Sequence, residues 1–199
     1  EKMKKNSRLK KARYEYFGGI VETEDPPMLA FVDQDFMREL GYPDSILWRS
    51  KVRHLSAPTE VHFSITNKCP LQCSYCAADA GEPMQGELST EELKQAIDLL
   101  AAMNVFHVAL GGGEFFERSD AMEIAYYCRE KNIVPNCTIN GHYMDPELAK
   151  QCRIFGQINV SLDGIGAHYN INRKTENIFE RADRAIKMLL EAGATVGIN

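Results

Sequence analysis

From Glu60 onward the chain alternates short strand-like apolar runs with longer amphipathic runs, and this alternation limits its fold more than any other feature. The strand-like runs are EVHFSIT (60–66), VFHVAL (105–110), IVPNCTIN (133–140), GQINVSL (156–162) and ATVGIN (194–199). Between them, Ser89-Thr90-Glu91-Glu92 reads as a capping box ahead of Leu93, Ala96, Ile97 and Leu100 at helical spacing. Asp120 precedes the helical run AMEIAYYCRE, and Asp145-Pro146 is an N-cap followed by proline at the first helical position. Thr175 opens ENIFERADRAIKMLLEA, with Ile178, Ala182, Ala185, Ile186 and Leu189 on one face and Gly193 as the stop. Strands separated by helices in this way form right-handed βαβ units on a parallel sheet. The expected fold is α/β, a partial parallel (βα) barrel of four complete units plus a fifth strand. The sequence stops inside that strand, so it is expected to be the N-terminal portion of a longer protein.

Residues 1–57 read differently. The segment EKMKKNSRLKKAR (1–13) carries seven of the 23 basic residues and is expected to be a flexible tail, either simply solvated or docking an acidic partner. Residues 14–57 are expected to form an appendage and linker: one strand around Tyr14, Tyr16, Ile20 and Val21, and a second through Met28, Leu29, Phe31 and Val32. These join at Glu24-Asp25-Pro26-Pro27, and a short helix follows, capped by Asp33 and ended by Gly41 and Pro43. The appendage is thus a hairpin plus helix, and residues 58–199 form the parallel core. Because the tail holds so much of the basic charge, the remainder is more acidic than the net −5 of the chain, which argues against a nucleic-acid surface. No run approaches the ~18 apolar residues that a membrane helix needs, and no apolar run follows the basic start as in a secretory signal. A soluble, cytoplasmic chain with no membrane partner is expected.

Three of the six cysteines, Cys69, Cys73 and Cys76, fall within TNKCPLQCSYC directly after the first core strand. Loops at the C-terminal ends of parallel strands build active sites. Three soft thiolates in one loop suit an iron–sulfur cubane, in which three protein ligands leave one iron open. Structural zinc would want a fourth ligand, and His62 lies upstream in the strand. A redox dithiol would use Cys73 and Cys76 and leave Cys69 unexplained. Cys128, Cys137 and Cys152 stand alone and read as small hydrophobes, while His107, His142 and His168 read as packed or solvated residues. Gly111-Gly112-Gly113-Glu114 follows the second core strand, where glycines permit φ > 0 and let backbone carbonyls approach a ligand.

CPLQCSYC, with its aromatic Tyr75 before the last cysteine, resembles the C-x3-C-x2-C signature of the radical S-adenosylmethionine (SAM) enzymes. The flanking TNKCPLQCSYCAADAG and the later blocks are similar to the subgroup that carries a C-terminal SPASM or twitch domain and includes many peptide-modifying maturases. The resemblance runs over roughly residues 60–199 and implies a barrel of radical SAM type. It implies a 4Fe–4S cluster on Cys69, Cys73 and Cys76, and SAM held by Gly112, Gly113 and Glu114, with Phe115 where the family often has proline. Tyr75, Asn140, Ser161, Asp163 and Arg173 are the further residues expected at the cofactor, Arg173 as a partner for the SAM carboxylate.

The implied reaction is reductive cleavage of SAM to a 5′-deoxyadenosyl radical that abstracts hydrogen from a ribosomally made precursor peptide, with electrons from an external donor. Residues 14–41 would offer that peptide an edge strand, or else serve as a simple lid. Alternatives are a small-molecule radical SAM enzyme of cofactor biosynthesis and, in a different class, a non-catalytic iron–sulfur carrier or zinc-binding module.

Overall fold

The structure is a computed structural model that describes residues 8–199. The described residues form two compact units, one ending at Pro58 and the other Thr59–Asn199.

The first unit is an antiparallel meander of β1 (Leu9–Glu15), β2 (Gly18–Glu24) and β3 (Pro27–Asp33), followed by the helix α1 (Gln34–Glu39). The hairpin turn after Glu24 and the helix after Asp33 match expectation: Asp33 Oδ1 accepts the Phe36 N–H at 2.8 Å, and Gly41 follows the helix at φ +88°. Two expectations are corrected. The single strand expected from Tyr14 to Val21 is split by a turn at Tyr16-Phe17, made possible by Gly18 at φ +152°, where a Cβ would overlap the Val32 carbonyl oxygen. The basic segment is not a tail as far as residue 13, because Leu9–Arg13 belong to β1; residues 1–7 lie outside the described residues. Charge pairing explains the longer strand, since Lys10 meets Glu22 across the ladder at 2.8 Å and Arg13 meets Glu15 at 2.8 Å. The linker is fastened to β1 as well: Ser56 N–H donates to Glu15 Oε2 at 2.7 Å, and Arg13 donates to the Ala57 and Pro58 carbonyls at 2.7 and 2.8 Å.

The second unit is the expected parallel sheet, in the order β4 (Glu60–Thr66), β5 (His107–Gly112), β6 (Val134–Ile139), β7 (Ile158–Val160), β8 (Val196–Ile198). The helices are α2 (Thr90–Ala102), α3 (Ala121–Glu130), α4 (Pro146–Gln151), α5 (Ala167–Asn172) and α6 (Ile178–Glu191). Val108, Leu110, Cys137, Ile139, Ile158 and Val160 are buried in one core with Leu93 and Ile97 of α2, Ile124 of α3, and Ala182 and Leu189 of α6. Each large apolar side chain buried there is worth about 1.5–3 kcal/mol. The intervening strand residues Ala109, Asn136, Thr138 and Asn159 are only partly buried, so the opposite face is polar.

Local signals set most of the boundaries. Ser89 and Glu92 form the reciprocal capping box, and Asp145 accepts the Glu147 and Leu148 N–H groups at 2.9 and 2.8 Å. Asp120 precedes its helix as expected, but its carboxylate makes no cap bond and instead takes Arg118 and the Thr90 hydroxyl, each at 2.6 Å. The last helix starts at Ile178 rather than Thr175, because Asn177 sits in the left-handed region at φ +56°. The separate helix α5 precedes it, and Asn170 Oδ1 accepts the Phe179 N–H at 2.9 Å, capping α6 from outside. Among the described residues no helix is long and apolar enough to cross a membrane.

Candidate active site

The loop after β4 turns back on itself. Cys69 N–H donates to the Gly81 carbonyl at 2.9 Å, and Gly81 N–H donates to the Asn67 carbonyl at 2.9 Å. Glu87 closes the return by accepting the Asn67 N–H at 2.6 Å, the Met84 N–H at 2.9 Å and the Thr66 hydroxyl at 3.0 Å. Leu71 is buried and anchors the middle of the loop in the core. This holds Cys69, Cys73 and Cys76, all free thiols and partly buried, at the C-terminal edge of the sheet. Ala80 N–H points to Cys76 Sγ at 3.4 Å, and Asn140 Nδ2 approaches Cys69 Sγ at 4.0 Å. Burial pushes the Cys69 and Cys73 thiols above their usual range, and the Arg173 guanidinium opposes that shift at Cys73.

The glycine turn after β5 locks into this loop. Gly112 is at φ +125°, and a Cβ on it would overlap the Thr66 carbonyl oxygen; one on Gly113 would overlap that of Lys68. The close approach lets Gly113 N–H donate to Thr66 and Glu114 N–H to Lys68, both at 2.8 Å. Phe115, standing where the family often has proline, is fully buried and packs edge-on against Phe155 at 5.7 Å, so packing holds the turn.

Glu114 is 1% exposed. Its carboxylate accepts the Asn140 N–H at 2.8 Å and the Phe116 N–H at 3.4 Å, tying the exits of β5 and β6 together. Burial raises its pKa from 4.5 to about 7, since two backbone N–H groups stabilise the anion less than water does. Asn140 Oδ1 also accepts the His142 N–H at 2.8 Å.

Across the cavity, Arg173 is ion-paired with Asp163, whose other oxygen accepts the Tyr75 hydroxyl. The Arg173 guanidinium lies 4.7 Å from the Tyr169 ring centroid and 5.9 Å from that of Tyr75. Tyr169 in turn donates to the Ser161 carbonyl, and Ser74 N–H donates to the Asn172 carbonyl at 3.1 Å. The cysteine loop is thereby clasped to the segment after β7.

One cavity of about 300 Å³ is lined by Cys69, Cys73, Cys76, Tyr75, Gly112, Gly113, Glu114, Asn140, Ser161 and Arg173. Every site residue expected from the sequence is in that lining except Asp163, which acts on it through Tyr75 and Arg173. Among the described residues no three Cys, His, Asp or Glu side chains converge on a single-ion site. Cys128, Cys137 and Cys152 are buried elsewhere, with thiols pushed up by burial, and none of the histidines lines the cavity. Sequence reasoning missed Glu87 and Tyr169. Glu87 carries no local signal, since it is a lone acidic residue in a polar loop.

Residues 63–199 match the radical SAM superfamily. The chain is 34% identical over 145 residues to the mycofactocin maturase MftC of Mycolicibacterium smegmatis, covering 72% of this chain and 37% of that protein. It is 36% identical over 141 residues to the Fe-coproporphyrin III synthase of Methanosarcina barkeri, covering 69% and 35%. In fold it is similar to SuiB of Streptococcus suis bound to the precursor peptide SuiA, with a TM-score of 0.72 at 17% identity over 97% of this chain and 56% of that one. The chain therefore spans little more than a third of the length of these curated relatives. The match takes in the whole stretch from the first parallel strand through the cysteine loop and glycine turn to the last strand, and the chain belongs to the radical SAM superfamily.

Proposed function

We propose that this chain is the parallel core of a cytoplasmic radical SAM enzyme that modifies a ribosomally made peptide. The observation that carries the reading is the single cavity lined by three loop thiols, the glycine turn and the polar exits of β6 and β7. The donor set fits an iron–sulfur cubane: three soft sulfurs border a space larger than a lone ion needs, and N–H groups approach two of them. In this proposal Cys69, Cys73 and Cys76 would hold the cluster, and the residues around the same cavity would hold SAM. Together these groups would supply reductive cleavage of the sulfonium and hydrogen abstraction from an unactivated carbon, with electrons from an external donor.

The chain's own residues bind and orient. The carbonyls of Gly112 and Gly113 offer acceptors to an ammonium group, and the Glu114 carboxylate behind them adds negative charge. Ser161 and Asn140 offer hydrogen bonds from the far side of the cavity. Arg173, already paired with Asp163, holds the cysteine loop in place and shares its remaining N–H donors with a ligand carboxylate. The peptide substrate is supported by the likeness to MftC and to SuiB. A second reading, a tetrapyrrole-modifying enzyme, is favoured by the comparable identity to the Fe-coproporphyrin III synthase.

Anaerobic reconstitution of the full-length protein tests the proposal. The wild type should bind iron, absorb as a cluster and release 5′-deoxyadenosine from SAM under reductant. Cys73→Ala should lose both cluster absorbance and SAM cleavage, and cleavage retained by that variant refutes the ligand assignment. A mass change in a precursor peptide encoded beside the gene separates the peptide reading from the tetrapyrrole one.

A further inference from the structure

Asn140 stands one residue beyond β6, is 5% exposed, and has little freedom to turn its side chain. Its backbone N–H donates to Glu114 at 2.8 Å, and its Oδ1 accepts the His142 N–H at 2.8 Å, closing a turn across Gly141. Gly141 is at φ +81°, and a Cβ there would press on Ala182 Cα at 3.0 Å and Ala185 Cβ at 3.1 Å, so α6 backs the turn. A main-chain N–H needs an acceptor, which fixes the orientation of the amide: Oδ1 faces His142 and Nδ2 faces the cysteine loop. There Nδ2 lies 4.0 Å from Cys69 Sγ and has no other partner among the described residues.

The cysteine loop serves its own sulfurs with main-chain groups, the Leu71 N–H at Cys69 and the Ala80 N–H at Cys76. Arg173 acts on Cys73 as a charge and is tied to Asp163. Among the described residues, Asn140 is the side-chain hydrogen-bond donor to the three thiols, and it comes from the exit of a different strand. Donors to a ligand sulfur matter most when the charge on that sulfur grows, and a buried setting screens them little.

We propose that Asn140 raises the reduction potential of a cluster held by Cys69, Cys73 and Cys76, by donating an Nδ2 hydrogen to the Cys69 sulfur. The assignment rests on the cluster reading above and adds to it a residue outside the cysteine loop. Taking one electron from the external donor adds one negative charge to the cluster and its sulfurs. The Asn140 N–H stabilises that reduced form more than the oxidised one, so a weaker reductant suffices. The Glu114 carboxylate and the His142 N–H aim the amide, and its remaining hydrogen faces the cavity that Asn140 lines.

Electron paramagnetic resonance of the reconstituted full-length protein tests this, with samples poised at a series of potentials at pH 8 without SAM. The signal followed is the one that Cys73→Ala removes. Asn140→Ser keeps an acceptor for the His142 N–H but is too short to reach the sulfur. It should weaken the cluster's hold on its electron by about tenfold, a fall of ~59 mV for a one-electron couple. Asn140→Asp keeps the turn but sets a carboxylate oxygen against the sulfur, and its potential should fall further. His142→Ala keeps the main-chain N–H and should leave the potential in place. Where Asn140→Asp takes up no cluster, Asn140→Ser decides alone. The proposal is overturned if the loaded Asn140 variants match wild type, or if His142→Ala moves the potential as far as Asn140→Ser, which would assign the shift to a disturbed loop. It is equally overturned if neither Asn140 variant takes up the cluster, which would make this an assembly residue. If Cys73→Ala removes no signal, the cluster reading itself fails; an unmoved potential in a signal that Cys73→Ala does remove is a failure of the Asn140 assignment alone.

Discussion

Each of the two units buries a glutamate to 1% exposure, and the two are treated in opposite ways. Glu15, in the antiparallel unit, meets Arg13 at 2.8 Å and takes both the N–H and the hydroxyl of Ser56. Glu114, in the parallel unit, has two backbone N–H groups and no ion pair among the described residues. A buried carboxylate with its own cation is a fastening, here joining strand to linker. One given only dipoles stays near its protonation threshold and gains most when a cation arrives from outside. The contrast separates a structural carboxylate from one suited to an incoming ammonium group.

The largest effect should come from breaking the fastened pair. Arg13→Ala leaves Glu15 buried without a counter-charge and should cost the antiparallel unit about 3–5 kcal/mol. The chain has one tryptophan, Trp48, whose indole N–H donates to the Gly18 carbonyl inside that unit, so its fluorescence in a urea titration reads this loss locally. A change below about 1 kcal/mol would mean that the pair contributes no more than an exposed one.

Glu114 should respond to pH instead. Its folded pKa is raised, so the folded state holds the proton more tightly than the unfolded chain. Its contribution is therefore greatest below about 4.5 and is lost as pH rises through about 7. The loss is on the order of 3 kcal/mol, since a pKa held at about 7 rather than 4.5 means a proton bound a few hundred times more tightly, at about 1.4 kcal/mol per tenfold. Glu114→Gln keeps an acceptor for the Asn140 N–H and should remove this dependence, which far-UV circular dichroism during denaturation at pH 4.5 and pH 8 would detect. Parallel pH curves for wild type and variant would remove the contrast.

The smallest stability effect is expected at Asp163, a carboxylate that has a cation but is partly open to solvent. Asp163→Asn should cost about 1 kcal/mol or less after solvent screening. It should also release Arg173 from its counter-ion, lower the Cys73 thiol pKa and speed alkylation of that cysteine, followed by peptide mapping. Unchanged labelling would show that Arg173 does not act on the thiol.

What could be read from the sequence follows from how local each signal is. The parallel strands, the Ser89 box and the Asp145-Pro146 start are encoded within a few residues, and the cysteine spacing is complete within eight. The basic residues of β1 gave no strand signal because Lys10 is neutralised by Glu22, which only the folded ladder brings opposite. The helix α5 has six residues and no side-chain cap, too little for a periodic pattern. At the site, the Tyr75–Asp163 bond joins residues 88 apart, and the inward turn of Glu114 depends on Asn140 just beyond β6. Such choices belong to tertiary structure, so the residue types were legible while their partners were not.

The interlocked backbones at Gly112 and Gly113 limit what mutagenesis can reveal there. Any side chain placed at either position must push aside the main chain of Thr66 or Lys68, immediately ahead of the first cysteine. Inactive alanine variants at the turn would therefore report a displaced neighbour as readily as a lost ligand contact. Testing these carbonyls as acceptors calls for an atom-scale exchange of the carbonyl oxygen itself, such as a thioamide, which weakens the acceptor and keeps the Gly113 and Glu114 N–H groups that bond Thr66 and Lys68.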